Sequence, residues 1–275
     1  MCSGLSIPHN VLGTAVTYFQ RFYLNLSVMD AEPKYVMMAS VYLACKIDEH
    51  YISAEDLARM AKQDPSIVLR DELSVLSGLK FDLIVHHPYR SLTILQFVIA
   101  DLSSREEEEL KIFKNEKNRM KLMRSARSTI DAIMKTDALF IYPPGLLALG
   151  ALRIALKALM EPSSQILNDR IFATIVEQLG MEAQQLPAAQ RSESSLDSLR
   201  KIGEISSASF VPLMAKFDEI EEYVLKEKVE IDMIVVRGID RQLRSCRNPV
   251  RNKDSDLYER VHAQHIQVRE IVRFL

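Results

Sequence analysis

The sequence predicts an all-α protein, and three observations lead there. Glycine and proline are scarce, eight and ten in 275 residues, so long stretches run without a helix breaker. Alternating β-branched and polar runs bounded by turn residues, the mark of strands, are hard to find. Apolar residues recur at helical spacing through most of the chain, most densely in PKYVMMASVYLACKI (33–47).

Pro8 opens the first stripe, in which Val11, Leu12, Ala15, Tyr18, Phe19 and Phe22 share a face that ends near Asn25. Pro33 then starts a helix at a position where its missing N–H costs nothing. On that helix Tyr35, Met38, Ala39, Tyr42, Leu43 and Lys46 lie on one face, while Val36, Val41, Ala44, Cys45 and Ile47 cover most of the rest. Such a helix needs neighbours on nearly every side, and Ala39, Ser40 and Ala44 let them come close. It ends in Lys46, Asp48 and Glu49, which must leave the core at one edge.

Ser53, with Asp56 three residues on, caps a short helix carrying Leu57, Met60 and Ala61. After Asp64-Pro65, Val68, Leu69, Leu73, Leu76 and Leu79 trace the next stripe. The segment DLIVHHPYR (82–90) is extended near Pro88, because the residue before a proline avoids the α region. A helix follows from 91 to about 101. The acidic run at 106–109 leads into a mixed-charge helical stretch up to 135, solvated until Met120, and the domain boundary is placed here. Residues 180–210 are rich in Gln, Ala and Ser and read as a flexible insertion. Helical pattern returns over 210–236, and a last helix over 256–275 carries Leu257, Val261, His265, Val268 and Val272.

An internal repeat underlies this series. At a constant offset of 111 residues, EPKYVMMASVYLACK (32–46) lies over PPGLLALGALRIALK (143–157), pairing Pro33 with Pro144, Ala39 with Gly150, Ala44 with Ala155 and Lys46 with Lys157. Extended backwards, Ala15 meets Ala126, Phe19 meets Ile130 and Phe22 meets Ile133.

With 48% apolar residues the chain has enough material for a sizeable core. A net charge of −2 gives no general reason to bind nucleic acid or membranes. Cys2, Cys45 and Cys246 are odd in number and far apart, which points to neither a disulfide framework nor a zinc site, and to a reducing compartment. The first residues lack the pattern of a secretory signal, and no long apolar run is present. Cytosol or nucleus is expected.

No phosphate-binding loop, dinucleotide fingerprint or nucleophile elbow occurs, so an enzyme is not expected, and neither a cofactor nor a metal is. His262 and His265 share a spacing suited to metal but lack a third ligand. His86 and His87 read as structural. Arg237, Arg241, Arg244, Arg247 and Arg251 recur at spacings of three and four and would form a stripe able to hold an acidic partner or phosphates, if Gly238 and Pro249 leave the helix intact. A solvated face is the simpler explanation. Lys46 ends an otherwise buried helix and Glu72 interrupts an apolar stripe. From composition alone, a local salt bridge between such groups explains them; a reserve for a partner is the alternative.

The segments YFQRFYLNLSVMD (18–30), LACKIDE (43–49) and FDLIVHHPYR (81–90) resemble the cyclin family, and within it the H type that regulates the CDK-activating kinase. The resemblance implies two tandem five-helix cyclin boxes, 1–104 and 105–253, followed by a C-terminal helix at 254–275. It implies a non-catalytic role, with Lys46 and Glu72, helped by Asp48 and Glu49, docking a cyclin-dependent kinase around its αC helix. It further implies a RING-finger assembly subunit, a TFIIH-type complex and a nuclear location. A cyclin C-like Mediator subunit and a TFIIB-like promoter-binding factor are the alternatives. The family also has a helix before SIPHNVLGTA, of which this sequence carries at most the tail, together with a further N-terminal helix. The surface around Ala39 and Tyr42 is therefore expected to lack a neighbour.

Overall fold

The computed structural model describes residues 7–104, 110–160, 165–185, 210–226, 232–246, 248–249, 255–257 and 260. Every regular element among them is helical. In chain order these are α1 His9–Asn25, α2 Pro33–Ile47, α3 Ala54–Ala61, α4 Pro65–Gly78, α5 Pro88–Leu102, α6 Lys111–Lys114, α7 Glu116–Ile133, α8 Ala138–Ile141, α9 Pro144–Leu159, α10 Gln165–Gln185, α11 Phe210–Lys226 and α12 Met233–Cys246. The residues group into two compact units. Among the described residues, one comprises 18–83 and those from 232 onward; the other comprises 7–17 and those from 84 to 226.

In the first unit, α2 packs on α3 and α4. Its Met38, Ala39, Ser40, Leu43 and Ala44 are buried, as a helix without a polar side requires. Ala39 is fully buried, so the expected gap in its cover is not found at that residue; Tyr42 is partly covered. Ser53 caps α3 by accepting from the Asp56 N–H at 3.0 Å, and Asp64 caps α4 by accepting from the Ser66 N–H at 2.9 Å. The Phe22 ring lies against Gly78 of α4, where an added Cβ would stand 2.5 Å from its Cδ2. The Tyr18 hydroxyl donates to the Leu83 carbonyl at 2.7 Å and holds the extended segment that follows α4.

The second unit is built on α9, which packs against α5, α7, α10 and α11. Leu147, Ala148, Leu149, Ala151, Leu152 and Ala155 are all buried. Gly150 allows α11 close: a Cβ there would meet Ile220 Cγ2 at 3.2 Å. Phe172 of α10 and Phe217 of α11 meet edge to face, with ring centroids 5.1 Å apart. His87 is buried beside Gly13 and edge-on to Tyr89, a packing position that matches its structural reading.

The 111-residue offset is visible as structure. Pro33 opens α2 and Pro144 opens α9, each at the start of a largely buried helix. The helical region expected over 210–236 is divided: α11 ends at Lys226, and α12 begins at Met233. Residues 180–185, expected to begin the insertion, are the last turns of α10; the rest of the insertion, the 256–275 helix apart from its first few positions, and His262 and His265 lie outside the described residues.

Candidate functional site

The polar end of α2 is where charge gathers on the first unit. Lys46 donates to both carboxylate oxygens of Glu72 on α4, at 2.7 and 3.0 Å, and its ammonium sits 4.4 Å from the centre of the Tyr42 ring. Partial burial works against the Lys46 charge, but the hydrogen bond and charge of Glu72 outweigh it, so the pKa is raised from its ordinary value. The Glu72 side chain is 15% exposed and that of Lys46 47%. The local salt bridge that composition suggests is therefore formed, and the lysine side chain stays about half exposed.

The chain closes α2 with a Schellman turn. The Glu49 N–H donates to the Lys46 carbonyl at 3.4 Å and the His50 N–H to the Cys45 carbonyl at 2.8 Å, while Glu49 takes a left-handed φ of 54°. Asp48 and Glu49 thus lie at the helix end beside Lys46, and Glu49 is exposed. Lys46 in this last turn also faces the negative end of the helix dipole.

Sequence reasoning places Leu69 and Leu73 in a core stripe; the structure leaves them 51% and 65% exposed. At about 100° per residue they fall on one side of Glu72, with the buried Val68 and Val75 on the other. The signal in the sequence was the charge itself. An apolar arc that continues past a glutamate is too wide for one neighbouring helix, and its far side stays bare. Ile47, next to Lys46 in sequence, is 44% exposed.

The second unit carries a related arrangement. Lys157, at the repeat position of Lys46, donates to Glu221 of α11 at 2.6 Å, and the buried Arg153 donates to Asp218 at 2.7 Å, with Asp169 3.9 Å away.

Of the arginine row, Arg237, Arg241 and Arg244 share α12, which Gly238 does not interrupt; Arg247 and Arg251 lie outside the described residues. Arg237 and Arg241 are exposed, and so are Met233, Ile234, Val235, Val236 and Ile239. Among the described residues no cluster of metal-ligating side chains occurs, and no helix is long and apolar enough to cross a membrane. Cys45 is buried and Cys246 exposed, both as thiols.

Residues 1–84 match the family described as "Cyclin, N-terminal domain". Cyclin-H1-1 of Arabidopsis thaliana is 40% identical over 155 residues, covering 56% of this chain and 44% of that protein. Among solved structures, a chain of the CAK complex from Chaetomium thermophilum bound to ATP-γ-S aligns with a TM-score of 0.58 at 20% identity, covering 97% of this chain and 74% of its own. A chain of the yeast TFIIK complex aligns with a TM-score of 0.51 at 26% identity, covering 74% and 80%. The matched stretch spans 38–45% of the length of three curated relatives. The chain thus carries a cyclin N-terminal domain over residues 1–84, in an all-helical architecture, and is similar to relatives of the H type.

Proposed function

We propose that this chain is a non-catalytic regulatory subunit that binds and activates a cyclin-dependent kinase of the CDK-activating type, in a nuclear, TFIIH-like assembly with a RING-finger subunit. The observation that carries the reading is the Lys46–Glu72 pair set beside uncovered leucines, Leu69 and Leu73, in a cyclin N-terminal domain. An apolar surface with an oriented charge at its edge is the composition of a protein-docking face, where area excludes water and the charge sets register. The half-exposed Lys46 side chain reaches carbonyls or carboxylates of the kinase, while Glu72 holds the lysine in place. Asp48 and Glu49 extend the polar rim. Docking acts by population shift, favouring the kinase conformation in which its own lysine–glutamate pair forms. The division into boxes at 1–104 and 105–253, with a C-terminal helix at 254–275, belongs to this proposal.

The names of the relatives support it: they are H-type cyclins and chains of CAK and TFIIK complexes. The test is co-purification with the kinase of the same organism, followed by its phosphorylation of a kinase substrate. Lys46→Glu and Leu73→Asp each weaken binding by about tenfold or more. Equal binding by both variants removes this face from the interaction, and ATP turnover by the purified chain alone removes the regulatory reading.

A further inference from the structure

The second unit carries a surface of its own. The helices α5 and α7 pack side by side and leave a groove of about 360 Å³ between them. Its floor is aliphatic and thioether: Ile99 and Ala100 from α5, Met120 and Met123 from α7. One wall is basic, formed by Arg119, Arg124 and Arg127.

None of these three arginines lies within ion-pair distance of a carboxylate among the described residues. Arg119 donates to the carbonyls of Phe113 and Lys114, which fixes its guanidinium without neutralising it. Arg124 is exposed. The eighteen residues of α7 carry five bases and two acids, against a net charge of −2 for the whole chain. Met120, in the groove lining, is 58% exposed. A solvated charge row has no use for a bare thioether side chain among its guanidiniums.

We propose that this groove is a docking site for an acidic peptide segment of a partner protein, carrying a large apolar side chain among its carboxylates. Charge complementarity selects the acid: three guanidiniums along a wall match carboxylates by charge-assisted, often bidentate hydrogen bonds. The methionines select an apolar residue and adapt to its shape. The volume suits one or two side chains of an extended segment rather than a whole helix. Nucleic acid fits less well, because no aromatic ring lines the groove for base stacking and Glu116 stands at one end of it.

The experiment titrates the full chain into a fluorescein-labelled peptide, Glu-Asp-Glu-Leu-Glu-Asp-Phe-Glu, and follows anisotropy. The all-amide version of the peptide and an oligothymidylate of equal length serve as comparison probes. Arg124→Glu, an exposed position, weakens acidic-peptide binding by about tenfold or more, whereas Lys216→Glu, the same charge change on exposed α11, leaves it unchanged. Met120→Asp weakens it as well, and circular dichroism shows each variant folded. Equal loss with Lys216→Glu overturns the proposal, since net charge then explains the binding. Equal binding of the amide peptide, or tighter binding of the oligonucleotide, overturns it too. Binding that arises only once the acids at 106–109 are replaced by glutamine assigns the groove to the chain's own acidic run and overturns it likewise.

Discussion

The Lys46–Glu72 pair gives unequal single losses and a small coupling, and the structure sets the order. Lys46→Ala removes the partner of a carboxylate that is only 15% exposed, leaving Glu72 poorly hydrated, at a cost of about 1–2 kcal/mol. Glu72→Gln leaves an ammonium that is 47% exposed and still rests over Tyr42, so water replaces most of what is lost and the cost stays below about 1 kcal/mol. The coupling from the double-mutant cycle is about 0.5–1 kcal/mol, the scale of a half-exposed ion pair. Urea unfolding of the four proteins at neutral pH measures all three quantities. The pH dependence carries a further sign. Because the folded pKa of Lys46 is raised, the pair's contribution is complete below the ordinary value of 10.5 and is lost as pH rises through the raised one. Glu72→Gln should therefore flatten the alkaline fall in stability. A coupling of zero, or a larger loss from Glu72→Gln than from Lys46→Ala, refutes the reasoning.

Two further outcomes follow from backbone geometry. Gly78→Ala ordinarily gains helix propensity, but its Cβ would stand 2.5 and 2.6 Å from Cδ2 and Cε2 of the buried Phe22, so we expect a net loss of about 1–3 kcal/mol in thermal melting; a rise in Tm would mean that α1 and α4 separate freely. Lys62 ends α3 at a φ of 53° and is exposed, so Lys62→Gly should raise the urea midpoint by the equivalent of about 1 kcal/mol without altering the slope. An unchanged midpoint would show that the left-handed turn carries no strain.

The helices were legible because periodicity and caps agreed: Pro33, Ser53 and Asp64 start or cap elements at the positions where sequence places them, whereas Pro88, read as part of an extended segment with the helix beginning at 91, already opens α5, because a proline is well tolerated in a helix's first turn. Lys46 and Glu72 were legible as a pair, since each is a charge set in an apolar context. Leu69 and Leu73 were not. A leucine at helical spacing reads as core, and only the position of α2 beside α4 decides which flank of the stripe it covers. The basic groove was missed for a similar reason. The charges of α7 read as a solvated face, and the methionines that make a floor for them are seen only when α5 lies alongside. The break between α11 and α12 was hidden because apolar residues continue across it.

Lys157–Glu221 on α9 and α11 has the same grammar as Lys46–Glu72 on α2 and α4: a lysine in the last turns of the central helix, and a glutamate on a later helix packed against it. The neighbours of the two glutamates differ. Three residues before and one after Glu72 stand Leu69 and Leu73, while the same steps from Glu221 lead to Asp218 and Glu222. The same latch thus occurs at both repeat positions, and its presence alone does not distinguish a docking face from an ordinary helix seam. The two ion pairs differ in their flanking residues, so exchanging two side chains can bare or remove an apolar surface while the ion pair stays in place.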